Sequence, residues 1–398
     1  MSSELSAVVA EVRLQQGLLG HTDRFAHGMF PALVQAIDAG KQTPIATIYK
    51  LGAPFNYSSP FIFGALPGEA FYVSGISAEG AKFAAAAFYS ANMLGVRNHI
   101  LTFYGSALPD AKIINAYEEA ATHLTGHITK NDMNICGVYF DTCNGNVWAL
   151  GEGIPTIKLG QLEPQPQGKP KIWACSCCDS RAAAHDTFSL HANEADTINV
   201  IGGFVPSQRQ NPDMWQRIML AAGSGIEDFV VTTHSQCGGV AALVSWSLDQ
   251  SKKPHHKLLP WLSLIKPSVD VAVAVARDNG IEDFAKLCGI VERYLAVVSG
   301  KNLQEGLERV ALLKSNLYLH HLDITTREVE DLRGLDLLQI IRNVKHGERF
   351  TEFCSIGDHR EELGDVGQAR HPVLIVPGET GMRRTLFAKL KHRQFLCT

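Results

Sequence analysis

Apolar side chains recur at helical spacing in the first part of the chain. They stand about 3.6 residues apart, at positions 8, 9, 12 and 14 and again at 29, 33, 34 and 37. From about residue 42 the pattern changes to short apolar runs rich in β-branched residues. The change predicts an N-terminal helical arm over residues 1–40, followed by a region of different architecture.

The region after residue 42 alternates short apolar runs with helical stretches. In order, these read PIATIYKL, AFYVSGI, the alanine-rich AEGAKFAAAAFYSANML and NHILTFYGS. The same order returns later as KPKIWACSCC, TINVIGGFV, PDMWQRIMLAAGSGI and DFVVTTHSQCGG. Alternation of this kind favours a mostly parallel sheet with helices on its faces. The predicted fold class is therefore α/β, with two tandem domains that each contain such a sheet.

The two halves can be aligned with few insertions, which indicates an internal duplication. The aligned pairs are Pro44 with Pro170, Val73 with Val200, Gly75 with Gly202, and Gly95 with Gly225. In chain order, residues 41–150 form the first repeat, residues 151–170 a linker rich in Pro, Gly and Gln, and residues 171–330 the second repeat. Residues 331–398 form a C-terminal extension with a helix (LRGLDLLQIIRNVKHG), an apolar strand (PVLIVPG) and a basic end (RRTLFAKLKHRQF).

Composition excludes several classes of protein. Among the 398 residues, 45% are hydrophobic and the formal net charge is -4, so we expect large packed cores and no nucleic-acid binding. The N-terminus lacks the pattern of a secretory signal, and no apolar run reaches the roughly 20 residues that span a bilayer. Nine cysteines, an odd number in a long chain, favour a reduced cytoplasmic location over a disulfide framework; a microcompartment stays open.

Two short motifs carry the candidate chemistry. Cys177, Asp179 and Arg181 lie in CSCCDSR, and His234 and Cys237 lie in HSQCGG. Both motifs follow predicted parallel strands, where open α/β sheets place their ligands. Two thiolates and one imidazole suit a catalytic zinc ion with an open fourth position. Asp179 and Arg181 can form an ion pair beside it, although a loop salt bridge without a catalytic part is the alternative.

At these residues the chain resembles the β-class carbonic anhydrases. The likeness rests on CCDSR at 177–181, INVIGGFVP at 198–206 and GIEDFVVTTHSQCGGVAAL at 225–243, with a weaker match in NLQEGLERVALLKSNLYLHHLDI at 302–324. It implies that Cys177, His234 and Cys237 bind Zn²⁺ and that Asp179 and Arg181 form the catalytic dyad. The spacing to Asp179 favours Cys177 over Cys175 as the first ligand.

The resemblance also implies an activity, the reversible hydration of CO2 to bicarbonate by a zinc-bound hydroxide. Asp179 would orient that hydroxide, and Arg181 would keep Asp179 ionised and away from the metal. Whether Asp179 can instead bind zinc and close the site is left open. The substrate pocket is placed at Gly202, Gly203, Gly238 and Gly239, although the last two equally suit the start of a helix.

The first repeat cannot hold zinc in the aligned positions. Five residues stand opposite the site residues of the second repeat: Leu51, Ala53, Phe55, Tyr104 and Ala107. We therefore interpret the first repeat as a degenerate copy that covers the sheet edge and the site of its active sister. Fused in one chain, the two repeats would form a pseudo-dimer, and such chains could assemble further into a homo-oligomer.

The sequence leaves the function open between CO2 hydration and two alternatives. The same site would suit a hydrolase of COS or CS2, and the other alternative is a catalytically silent, zinc-stabilised scaffold or sensor. His185 and His191 are candidates for proton shuttles, although exposed polar histidines fit better. His320 and His321 are expected on an edge strand, with one side chain in and the other out.

Overall fold

The computed structural model describes most of the chain between residues 44 and 347. The described residues are 44, 46–51, 68, 70–74, 81–105, 108–128, 133–150, 158–161, 170–188, 195–309, 315–326 and 328–347. The predicted helical arm over 1–40, the predicted strand and basic end of the C-terminal tail, and the residues Gly75 and His191 lie outside these ranges.

The first sheet has six strands in the order β2-β1-β3-β4-β5-β6. β1 to β4 are parallel, and β5 and β6 are each antiparallel to the preceding strand. The strands are β1 (Ala46–Lys50), β2 (Ala70–Ser74), β3 (Asn98–Gly105), β4 (Asn134–Asp141), β5 (Asn146–Leu150) and β6 (Lys158–Gln161). The helices described in this half are α1 (Ala81–Phe88), which continues as a π-helix (Tyr89–Met93), and α2 (Ala111–His127).

The second sheet has five strands in the order β11-β10-β9-β7-β8, all parallel except β11. The strands are β7 (Ile172–Cys177), β8 (Ala195–Val200), β9 (Asp228–His234), β10 (Asn316–Leu322) and β11 (Val329–Asp331). The helices are α3 (Ala184–Phe188), α4 (Pro212–Gly223), α5 (Gly238–Leu248), α6 (Leu259–Asp278), α7 (Phe284–Arg309) and α8 (Leu337–His346). Short 3-10 turns cover Ser180–Ala182, Ile201–Gly203, Gln250–Lys252 and His256–Leu258.

Local sequence explains where two of the helices begin. Asn211 caps α4 by accepting the backbone N–H of Met214 at 3.1 Å, and Pro212 suits the first turn because its missing N–H would have no intrahelical partner. Asp336 and Gln339 form a capping box at the start of α8. The predicted helix of the C-terminal extension is thus confirmed.

The two sheets share one topology. In each, four parallel strands stand in the sequence order 2-1-3-4, and an antiparallel fifth strand follows the fourth. Registers agree as well. Ala46 pairs with Ala70 and Asn98, as Ile172 pairs with Ala195 and Asp228. This agreement supports the tandem duplication in part.

The register corrects one detail of the sequence alignment. Val73 lies beside Tyr49, and the residue 126 positions after Tyr49, Cys175, lies beside Ile198. Val73 therefore corresponds to Ile198 and not to Val200 as the alignment predicted. The error is two residues, which leaves the side chain on the same face of the strand because strand periodicity is two.

The edge strands β2 and β8 bring the two halves together. The Ser74 hydroxyl accepts the backbone N–H of Asn199 at 2.7 Å and lies 3.1 Å from the Thr197 carbonyl oxygen, to which it can donate. Nearby, the Nζ of buried Lys50 lies 3.9 Å from the carboxylate of buried Asp196. The first half thus covers the outer edge of the second sheet, as the sequence predicted.

Two sequence predictions differ from the structure. The expected linker over 151–170 contains β6, which extends the first sheet beyond β5. The expected edge position of His320 and His321 is wrong, because β11 pairs with their strand and both side chains are buried. They point to opposite faces, His320 towards Phe188 and His321 towards Glu292, and the sheet is covered on both faces.

One helical stretch, His256–Asp278, is long and apolar enough to cross a membrane by length and composition alone. Its Trp261, Ile265 and Val269 side chains are buried within the protein. Trp261 also donates its indole N–H to the Ile201 carbonyl oxygen at 2.8 Å. These contacts are those of a core helix packed on an α/β sheet.

Candidate metal centre

Three potential metal ligands converge at the carboxyl ends of two neighbouring strands. Cys177 is the last residue of β7, His234 the last of β9, and Cys237 immediately precedes α5. β7 and β9 are paired in parallel, so their ends meet at one edge of the sheet. The three ligand atoms lie within 4.8 Å of one another and all three residues are buried. Cys175, the alternative first ligand, is outside this group.

The pKa values of His234 and Cys237 are both shifted because the ligand atoms lie close together and are buried. Burial would lower the pKa of His234, but Cys237 and Asp179 outweigh burial and raise it to about 9. The hydrogen bond with Cys177, followed by burial, raises the pKa of the Cys237 thiol well above its usual range. A dication among these side chains would relieve both effects, because it stabilises thiolates and displaces protons.

The residues fit zinc by chemistry and by geometry. The His234 Nδ1–H donates to the Ser235 carbonyl oxygen at 2.8 Å, which leaves Nε2 available as a ligand atom. That buried nitrogen has no hydrogen-bond partner among the described residues. The sulfur atoms of Cys177 and Cys237 are 4.0 Å apart. Two thiolates bound to tetrahedral zinc lie about 3.8 Å apart.

Asp179 and Arg181 form a bidentate ion pair beside this group. The Arg181 Nε donates to Asp179 Oδ1 at 2.9 Å, and Nη2 lies 2.5 Å from Oδ2. The backbone N–H of Arg181 also donates to Oδ1 at 3.0 Å. The carboxylate is therefore held by arginine in this structure and is not among the converging ligand atoms.

The same fork, a bidentate ion pair between an aspartate and the arginine two residues later, occurs a second time in the chain. This second pair is far in sequence from Cys177 and Cys237. Arg333 donates its backbone N–H and its Nε to Asp331 Oδ1 at 2.9 and 3.0 Å, and its Nη2 pairs with Oδ2. An Asp-x-Arg sequence thus builds this fork locally. Its presence alone does not mark a catalytic site, and what distinguishes Asp179 is its position beside the Cys–His–Cys group.

Two of the predicted pocket glycines shape the backbone under the site. Gly203 has φ of 60°, and a Cβ there would lie 2.7 Å from the Thr232 carbonyl oxygen and 3.2 Å from the Cys177 nitrogen. Only glycine allows this conformation with this close approach. Gly202 has φ of 78°, and a Cβ there would contact Ile265 at 3.5 Å. Both glycines thus have a packing role at the end of β8.

The other two predicted glycines begin α5. A Cβ on Gly239 would lie 2.6 Å from Ile201 Cγ2 and 3.9 Å from the Cys237 sulfur. A Cβ on Gly238 would lie 2.6 Å from the hydroxyl oxygen of Tyr89. The helix start, one of the two alternatives that the sequence left for these glycines, is confirmed, and their role in a substrate pocket stays a prediction.

Sequence reasoning missed the residues that the first half contributes beside the site. Tyr89 reaches Gly238, and burial, then Cys237, Cys177 and Asp179, raise the pKa of its hydroxyl above the usual range. The Tyr89 ring lies against Phe71, with centroids 5.7 Å apart, and Phe71 forms an isolated bridge with Asp179. No local signal marks these residues, because the docking of the two halves places them here.

Further contacts hold the loop of the first cysteine motif against the first half. The Tyr72 backbone N–H donates to the Cys178 carbonyl oxygen at 2.8 Å, and the Gly68 N–H donates to the Ser180 hydroxyl oxygen at 2.7 Å. His185, expected as an exposed histidine, is buried and lines a small cavity with Lys50 and Ser74. It does not belong to the converging ligand group.

Fold and site together fit one kind of site. Buried nitrogen and sulfur donors at the carboxyl edge of a mostly parallel sheet, with an ion pair beside them, suit a metal ion held where open α/β sheets place their ligands.

Comparison with known proteins gives a family match for part of the chain. Residues 172–322 match the family model described as carbonic anhydrase. Among solved structures, the chain is similar to the β-carbonic anhydrase CafA of Aspergillus fumigatus (17% identity, 46% of this chain and 86% of that chain, TM-score 0.36). It is also similar to the Coccomyxa β-carbonic anhydrase in complex with acetazolamide (17% identity, 41% of this chain and 72% of that chain, TM-score 0.36). A third similar structure is the β-carbonic anhydrase CcaA (21% identity, 41% of this chain and 74% of that chain, TM-score 0.36).

Proposed function

We propose that the domain of residues 172–322 catalyses the reversible hydration of CO2 to bicarbonate, with zinc held by Cys177, His234 and Cys237. The observation that carries this proposal is the convergence of three buried donors within 4.8 Å beside a carboxylate that arginine holds in place. The family match over the same residues supports it.

In this proposal Asp179 positions the attacking water. Bound zinc would act as a Lewis acid and lower the pKa of a water molecule towards neutrality. Arg181 keeps the Asp179 carboxylate ionised, because an opposite charge at hydrogen-bonding distance favours the charged form. The carboxylate can then accept a hydrogen bond from the water that attacks CO2, and so direct a lone pair at the carbon atom.

The surroundings of the site suit a small uncharged substrate. Tyr89 and Phe71 from the first half, and Ile201 and Gly239 from the second, present rings, a methyl group and a side-chain-free backbone near the sulfur atoms. CO2 carries no charge and tolerates apolar walls, whereas bicarbonate is an anion that such walls do not retain. We therefore propose that these residues admit CO2 and favour release of the product.

The proposal is tested by comparing two variants of the same local fork. Asp179→Asn removes the charge next to the ligand group, whereas Asp331→Asn removes the equivalent charge in the fork with Arg333. Stopped-flow CO2 hydration should fall about a hundredfold or more in the first variant and stay unchanged in the second, at equal zinc content. Equal rates in Asp179→Asn and the parent protein would contradict the role of Asp179.

No contact among the described residues favours the other functions that the sequence left open. Hydrolysis of COS or CS2 without turnover of CO2 would change the assignment of the substrate. Zinc binding without any turnover would indicate a silent scaffold. We also propose a cytoplasmic location, because Cys136, Cys178 and Cys237 are free thiols in the described part of the chain. Assembly into a homo-oligomer remains a prediction.

A further inference from the structure

Glu292 is a buried carboxylate next to a proposed metal ligand. It lies on α7 with 2% of its surface exposed. Its Oε1 accepts the backbone N–H of Cys237 at 2.9 Å. A buried carboxylate in an apolar helix face costs folding free energy unless it is paired and hydrogen-bonded. The hydrogen bond to the Cys237 backbone is therefore the contact through which Glu292 can act on the turn.

The other oxygen of Glu292 begins a row of polar side chains that leads away from the site. Oε2 lies 3.6 Å from Nε2 of the buried His321, and His321 Nδ1 lies 3.3 Å from Glu330 Oε2. Arg293 donates to both oxygens of Glu330, at 2.7 and 2.9 Å. His321 therefore lies between the carboxylates of Glu292 and Glu330, and Arg293 holds Glu330 in place.

The turn that Glu292 holds is conformationally unusual. Gln236, between the two ligands of this motif, has φ of 59° and is the non-glycine residue with positive φ among the residues that the structure describes. A non-glycine residue in the left-handed region persists only where its surroundings hold it. The turn is tied from one side by Ser235, whose N–H donates to the Leu322 carbonyl oxygen at 2.9 Å, and from the other by Glu292.

We propose that Glu292 is a positioning residue for Cys237. Its carboxylate fixes the strained turn so that the sulfur atom of Cys237 faces the sulfur atom of Cys177 and the imidazole of His234. The inference rests on the proposed zinc site and deepens it. Glu292 acts on the ligand through the Cys237 backbone. Removing its carboxylate should therefore change metal affinity and ligand geometry more directly than turnover. Groups that orient metal ligands typically change affinity by about 10- to 100-fold when removed.

The test compares variants of the full chain by zinc affinity in a chelator competition and by the thiolate-to-cobalt absorption of the Co²⁺-loaded protein. Glu292→Leu should lower zinc affinity by up to about a hundredfold and change the cobalt spectrum. Glu292→Gln keeps an acceptor oxygen but loses the charge, and should lose about tenfold. The matched control is Glu308→Leu, an exposed glutamate of the same helix, which should bind both metals like the parent chain.

The outcomes separate this inference from the proposed function. Unchanged affinity and an unchanged cobalt spectrum in a folded Glu292→Leu protein would overturn the positioning role. If Glu292→Leu does not fold, Glu292→Gln decides, and parent-like affinity in that variant would overturn it as well. Failure of the parent chain itself to bind zinc would refute the proposed zinc site instead.

Discussion

The two sheets share one strand order but differ in what stands at the carboxyl ends of their strands. After β1 and at the end of β3, the first sheet carries Leu51 and Tyr104, both buried. The corresponding positions of the second sheet carry Cys177 and His234, which converge with Cys237. The difference shows that the fold itself needs no ligand set, because apolar and aromatic side chains fill the same places.

The first half contacts the site of the second half. Tyr89 and Phe71 lie against the second half beside the ligand group, while Ser74 secures the contact between the sheet edges. One half thus supplies the proposed ligands and the other a wall. This division of labour predicts that substitutions in the two halves act in different ways.

The largest expected effect comes from removing a ligand. Cys177→Ala should abolish stoichiometric zinc binding and CO2 hydration, because two remaining donors do not complete a zinc site. Cys136→Ala, which changes a buried free cysteine in the first sheet, should leave both unchanged. Metal analysis after dialysis and stopped-flow assays measure the two properties. Retained zinc in Cys177→Ala would show that the ligand set is wrong.

A second prediction concerns stability in acid. It depends on Glu330, which lies in the second sheet. Burial alone would raise the pKa of Glu330, but His321 and Arg293 lower it to about 2. Its folded-state pKa is depressed, so its stabilisation is present above about pH 4.5 and is lost as the pH falls towards 2.

Glu330→Gln should therefore remove about 3 kcal/mol at neutral pH and flatten the decline of stability between pH 4.5 and 2. Denaturant titrations at several pH values measure this. A variant whose free energy of unfolding falls with acid as steeply as that of the parent chain would refute the assignment.

A third prediction tests the contact between Tyr89 and the second half. Gly238→Ala places a Cβ 2.6 Å from the Tyr89 hydroxyl oxygen, and overpacking of this kind costs about 1–3 kcal/mol. Tyr89→Phe removes that oxygen, so the double variant should recover part of the lost stability. Thermal unfolding of both single variants and the double variant forms the cycle. Strictly additive effects would show that the two groups do not meet.

The smallest expected effect is at the junction of the sheet edges. Ser74→Ala removes the acceptor of the Asn199 N–H and leaves a buried donor without this partner, which costs about 1–3 kcal/mol. Zinc affinity should change little, because the three proposed ligands lie in the second half. Denaturant unfolding and chelator competition separate the two properties. A loss of zinc affinity larger than the loss of stability would contradict this independence.

Sequence patterns predicted the parts of the molecule that depend on neighbouring residues and on strand ends. The α/β class, the helix of the C-terminal extension and the convergence of the two cysteine and histidine motifs follow from periodicity and from the geometry of parallel sheets. The short strand β11 was missed, because three residues carry no readable alternation, and this error misplaced His320 and His321 at an edge.

The residues around the ligand group could not be predicted in the same way. Tyr89 and Phe71 reach the site only because two sheet edges dock, and a sequence pattern does not encode that geometry. Glu292 left one signal, a carboxylate between the buried Val291 and Leu295 on α7, but the identity of its partner depends on how that helix packs. The expected linker hid β6, since its strand is only four residues long.

The most direct test of the account is a zinc titration of metal-free protein followed by stopped-flow CO2 hydration. Hydration should rise in proportion to bound zinc and saturate at one zinc per chain, because the one ligand set found among the described residues lies in the second half. Saturation at two zinc ions per chain, or full occupancy without turnover from neutral to alkaline pH, would contradict it.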